Sequence, residues 1–202
     1  KTSKVVSFTS MFEGLHLITK LDVSQFDTSR ATSTAYMFSG AKSLETLDVS
    51  NFNTSKVTLM SFMFEDCQKL AFLDVSKFDT SNVTEIVGFI SAAGKHSEKV
   101  TIKLGDWDLS NTTSINYMFE ETGYNANEFI ITGLNNWDVS KVKSMKGMFY
   151  KTGYNATTWN IGDISSWNTE SATNMEFMFA KAARNASTFN IGNLNNWELS
   201  NV

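Results

Sequence analysis

The sequence predicts an α/β solenoid of about seven units of 26–30 residues, with short parallel strands on one face and short helices on the other. Three observations predict it. The column Phe12, Phe38, Phe64, Ile90, Phe119, Phe149 and Phe179 recurs with gaps of 26, 26, 26, 29, 30 and 30. An aromatic column of Phe26, Phe52, Phe78, Trp107, Trp137, Trp167 and Trp197 keeps step with it. Inside each unit the apolar period then changes from two residues to a helical spacing.

The strand comes first. In the stretch 47–64, LDVSNFNTSKVTLMSFMF, Leu47-Asp48-Val49-Ser50 alternates apolar with polar, which predicts a short half-buried strand. Past Ser55, the residues Val57, Met60, Met63, Phe64 and Cys67 fall at spacings that place them on one face of a helix. The column Ser3, Ser29, Ser55, Ser81, Ser110, Ser140, Glu170 and Ser200 then supplies helix N-caps at nearly every unit. One unit cannot bury its own apolar face. Strands stacked about 4.8 Å apart would turn each column into a shared core. Helices need about 8–10 Å between axes, so the expected shape is an arc with the strands inside.

Residues 1–202 read as a single array with two styles of unit. Residues 1–98 carry the shorter 26-residue form, L-x-x-L-D-V-S-x-F. Residues 99–202 carry 29–30-residue units such as Phe129-x-Ile131-x-x-Leu134-x-x-Trp137. The segment 88–99 marks the change and is the most degenerate copy.

Composition narrows the function. Charged residues make up only 19% of the chain, the net charge is −4 and no basic cluster appears, which argues against tracking a nucleic-acid backbone. No apolar run approaches the roughly 18 residues of a membrane span, and no signal peptide or anchoring motif is present. Proline is absent, so turns must depend on Gly and on Asn, Asp, Ser and Thr side chains bonding to backbone. With Cys67 alone there is no disulfide framework. The sequons at Asn111, Asn155 and Asn185 are expected by chance in a chain this rich in Asn, Ser and Thr.

The phrase L-x-x-L-D-V-S-x-F-[DN]-T-S-x-V-T-x-M-x-x-M-F, carried by residues 21–46 and 47–72 and less closely by 73–90, resembles the BspA-type bacterial surface repeats. That family is a divergent leucine-rich-repeat branch that also occurs in mycoplasma surface lipoproteins. The resemblance covers essentially the whole chain. It implies a leucine-rich-repeat-like, right-handed coil in an exported protein displayed on the bacterial cell surface, with its anchor outside this segment. It implies no catalytic residues. Because the chain opens on Thr2-Ser3-Lys4-Val5 and closes on Ser200-Asn201-Val202, the same phase of the unit, it reads as a slice of a longer array, with end-to-end self-association as a consequence.

Candidate contact residues follow from the expected inner strand face: Thr46, Asp48, Ser50, Asp74 and Ser76. Asp22, Asp48 and Asp74 share a column and could offer oxygen ligands to Ca²⁺, but the Gly- and Asp-dense spacing of calcium repeats is missing, which favours local hydrogen bonding. The column Asp27, Asn53, Asp79, Asp108, Asp138, Asn168 and Glu198 exchanges Asp for Asn freely, as an Asx-turn oxygen would. Tyr36, Phe62, Tyr117 and Phe177, with Gly88 and Gly147 in the same column, form an aromatic stripe far around the expected helix. Its rings are either exposed to a partner or wedged between helices, with wedging favoured.

The Phe and Trp column reads as core. Cys67 lies in a small core slot shared with Ala and Thr, and His16 and His96 occupy non-equivalent places, so no catalytic pair is read. No metal or cofactor site is assigned. The expected function is a non-enzymatic adhesion or protein-recognition module whose partner is a host or bacterial surface protein. The alternatives are a passive spacer displaying another domain and a glycan- or Ca²⁺-binding module.

Overall fold

The structure is a computed structural model that describes residues 2–202. Segments 26–30 residues apart lie side by side and parallel. Six isolated bridges form one column, Ser7↔Ser33↔Leu59↔Glu85↔Ser114↔Ser144↔Asn174. A four-stranded parallel sheet lies in the middle of the chain: β1 (Phe72–Asp74), β2 (Lys99–Lys103), β3 (Glu128–Thr132) and β4 (Thr158–Asn160), in that order. Its register places Phe72 beside Thr101, Thr101 beside Ile130 and Ile130 beside Asn160.

The expected α/β solenoid of leucine-rich-repeat type is overturned. Among the described residues there is no α-helix; the helical content is two three-residue 3-10 turns, Leu134–Asn136 and Leu194–Asn196. Nor does each unit contribute a regular strand: among the described residues the four-stranded sheet runs from 72 to 160.

Where helices were expected, amide groups take two alternating routes. Met37, Ser39 and Ala41 close turns onto the carbonyls of Thr34, Tyr36 and Phe38, three residues back. The intervening Tyr36, Phe38 and Gly40 instead donate to Ser61, Met63 and Glu65 of the next segment. Phe62, Phe64 and Asp66 repeat the pattern onto Val87, Phe89 and Ser91. A helix sends every such amide to the carbonyl four residues back. Here half of them hold neighbouring segments together.

The backbone conformation that permits this is left-handed. Ser10, Tyr36, Phe62, Gly88, Tyr117, Gly147 and Phe177 all have φ between 54° and 60°. Four residues on, Gly14, Gly40, Asp66, Ala92, Glu121, Lys151 and Lys181 are left-handed again. An L-residue in that region costs about 1–2 kcal/mol, and a right-handed helix cannot continue through it. The physical reason for abandoning helices is spacing. Ring centroids one segment apart stand 5.5 Å from each other at Phe38–Phe64, 5.3 Å at Phe119–Phe149 and 5.2 Å at Phe149–Phe179. That separation suits adjoining strands and is too small for adjoining helices.

The core is one continuous cluster. Val57, Met60, Met63, Phe64 and Cys67 are all buried, as the apolar spacing requires, although no helix carries them. Trp107, Trp137, Trp167 and Trp197 stack in parallel 5.3–6.4 Å apart. Each donates its indole N–H backwards, to the carbonyls of Val75, Gly105, Leu134 and Ile164.

A threonine ladder reinforces the stack. Buried Thr54 accepts the amide of Asp79 at 2.8 Å and donates to the carbonyl of the same residue at 2.9 Å. Thr28 does the same to Asn53. Replacing Thr54 by valine leaves both backbone groups of Asp79 unmatched, which should cost about 1–3 kcal/mol in a urea unfolding titration. Thr58→Val, on an exposed side chain, should stay within about 0.5 kcal/mol. Equal losses from the two substitutions would contradict the ladder's role.

Candidate functional site

A groove of about 650 Å³ opens on the strand side of residues 20–78, within the roughly 300–1,000 Å³ range typical of ligand pockets. The five residues expected to make contacts, Thr46, Asp48, Ser50, Asp74 and Ser76, all line it. Leu21, Leu47, Val49 and Phe78 add apolar wall, and Asp22, Glu45, Lys20 and Lys77 add charge.

The groove lies where backbone pairing lapses. Lys20 bridges Thr46 on one side, and β1 pairs with β2 on the other. Among the described residues no backbone hydrogen bond joins 46–49 to 72–75. The Ala71 carbonyl and the Val75 amide bond toward the β2 segment, so strand alternation turns the amides of Phe72 and Asp74 toward the lapse.

Phe72 lines the groove but is not among the contact residues the sequence predicts. Its ring is 49% exposed and occupies an outward position that Lys20 and Thr46 hold in the two preceding segments. The signal was present in the sequence as a large apolar residue immediately before the buried Leu73, one register place off the core column.

The carboxylates are fixed by local turns. Asp22, Asp48 and Asp74 each accept the amide of the serine two residues on, at 2.9, 2.9 and 3.1 Å. Asp74 also accepts the Ser76 hydroxyl at 2.6 Å. Among the described residues, no three or more His, Cys, Asp or Glu side chains are grouped as metal ligands. The second acidic column behaves as its Asp-for-Asn exchange requires: Asp27, Asn53, Asp79, Asp108, Asp138, Asn168 and Glu198 all accept the amide two residues on. Ser29, Ser55 and Ser81, expected as helix caps, are donors into those Asx turns.

These turns set a pH dependence. The serine holds the acid below its ordinary value, first through its amide at Asp22, Asp48 and Asp138, and first through its hydroxyl at Asp27, Asp74, Asp108 and Asp163. A depressed folded-state pKa gives stability that is present above the unfolded value of about 3.9 and is lost as pH falls through the folded value. Glu65 and Glu120, raised chiefly by burial, act oppositely, and their share declines as pH climbs above about 4.3. With seven Asp against two Glu, the thermal midpoint should drop on acidification below about pH 4. A midpoint that is flat or rising over that range would contradict the turn assignment.

The aromatic stripe is not on a helix, and it is not continuous. Tyr36 stacks on Phe62 at 4.9 Å. The Phe62 ring then lies over Gly88, where an added Cβ would meet it at 2.4 Å, and Tyr117 lies over Gly147 at the same distance. Glycine occurs in the column where the preceding ring lies flat. Tyr36 is 37% exposed and Phe177 56% exposed, so these rings are partly covered by the next segment and partly open to solvent.

Cys67 is buried, donates to the Phe38 carbonyl at 3.2 Å, and has its thiol pushed up to about 12, first by burial. Asn111, Asn155 and Asn185 each use the side-chain amide to donate to a neighbouring segment, at Ser81, Asn125 and Asn155.

The parallel stack of turn-built segments thus carries a groove lined by four carboxylates, two lysines and several apolar side chains. The chain belongs to the family described as Mycoplasma protein of unknown function, DUF285, whose model matches residues 1–101 and again 91–202. No curated protein and no solved structure gives a significant match.

Proposed function

We propose that this chain is a non-enzymatic module displayed on the bacterial cell surface, of the BspA-like kind, and that it recognises a host or bacterial surface protein. The observation that carries the proposal is the groove, in which Thr46, Asp48, Ser50, Asp74 and Ser76 meet around a half-exposed aromatic ring. Exposed side chains on a rigid stack offer complementarity without a flexible loop, which lowers the ordering cost of binding. The family's mycoplasma origin is compatible with display at a surface.

The test is attachment of the fluorescently labelled chain to cultured host cells, read by flow cytometry. An Asp48→Lys/Asp74→Lys variant, with charge reversed at the groove, should attach at least about tenfold more weakly. Attachment equal to that of the unchanged chain would overturn the proposal.

A further inference from the structure

We propose that the groove takes an extended peptide segment bearing lysine or arginine, with a cation between the carboxylates of Asp22, Asp48 and Asp74 and an apolar side chain against Phe72. This rests on the reading of the groove as the recognition surface and names the partner's chemistry.

The chain already contains one such contact. Lys103, from the segment after β1, places its ammonium 5.4 Å from the centre of the Phe72 ring and 3.9 Å from Asp74 Oδ2. Lys103 is the register partner of Asp74, so the column runs acid, acid, acid, lysine. Among the described residues neither Asp22 nor Asp48 makes an ion pair within 4.0 Å, and Lys77 acts on Asp48 through its charge from farther off. Four carboxylates and two lysines line the groove, which leaves it net acidic. The ordinary aspartate pKa of about 3.9 already leaves Asp22 and Asp48 ionised at neutral pH.

A peptide fits better than a free amine. The wall spans three consecutive segments, longer than a single cation can reach. An extended peptide laid along the Asp22–Asp48–Asp74 column crosses these segments and can meet more than one carboxylate.

The experiment is fluorescence anisotropy with a labelled peptide alternating lysine and valine, beside a glutamate–valine counterpart and an oligolysine of equal length. The lysine–valine peptide should bind and weaken as salt rises. The glutamate–valine peptide should not bind, and oligolysine should bind at least about tenfold more weakly. In an Asp22→Asn/Asp48→Asn variant, affinity for the lysine–valine peptide should fall by about tenfold or more. That variant keeps its turns, because Asn53 and Asn168 cap the equivalent turns elsewhere.

Equal binding of lysine–valine and glutamate–valine peptides, binding of neither, oligolysine as tight as lysine–valine, or an unaffected asparagine variant would each overturn the assignment. If no peptide binds while the Asp48→Lys/Asp74→Lys variant still loses cell attachment, the cationic-peptide assignment falls and the groove as recognition surface stands.

Discussion

Phe64→Ala should lower the unfolding free energy by about 3–5 kcal/mol, the range for removing a fully enclosed phenylalanine ring. Phe64 has no exposed surface, stacks on Phe38 at 5.5 Å and meets Phe89 edge-on at 5.3 Å. Its loss opens a cavity between two neighbouring segments, and the backbone cannot close it. The amide of Phe64 is bonded to Phe89 and that of Phe38 to Met63, which fixes the separation. The half-exposed Phe72 is the control, and its alanine variant should lose far less. Urea titration of both variants checks the difference; similar losses would mean that the ring columns are not the main store of stability.

Gly133→Ala should cost about 2–4 kcal/mol, combining left-handed strain with a backbone clash. Gly133 has φ of 103°, and a Cβ there would stand 2.3 Å from the carbonyl oxygen of Leu104, in the preceding segment. No rotamer relieves that contact, because the obstacle is main chain. Gly162 separates the two causes. It has φ of 80° with nothing within 4 Å of an added Cβ, so Gly162→Ala should show only the conformational cost, about 1–2 kcal/mol. Equal effects at the two glycines would show that close approach at Gly133 does not constrain the stack.

Much of this arrangement is legible in the sequence, and the illegible part has one physical cause. The columns through Phe12 and Phe26 place like residues together, and the stacked rings of Phe38 with Phe64 and Trp137 with Trp167 occupy those columns. The apolar spacing at Val57, Met60, Met63 and Phe64 identifies buried positions correctly. It cannot tell a helix from a chain of successive turns, because both return every third or fourth residue to one side.

The distinguishing mark was the exchange of glycine with Tyr36, Phe62, Tyr117 and Phe177 in one column. That exchange reports a positive φ, a backbone constraint that the spacing of apolar side chains does not carry. In the groove, the polar residues followed from strand alternation. Phe72 and the lapse in pairing beside it did not, since the same alternation runs through segments that pair and segments that do not.

The hydrogen-bond acceptor of each amide is the most direct measurement. Scalar couplings across hydrogen bonds, recorded by NMR on the labelled chain, connect an amide nitrogen with the carbonyl carbon that accepts from it. Phe38 should couple to Met63, Phe64 to Phe89 and Phe119 to Met148, each across neighbouring segments. Couplings from these amides to the carbonyls four residues earlier would show helices in their place and contradict the arrangement.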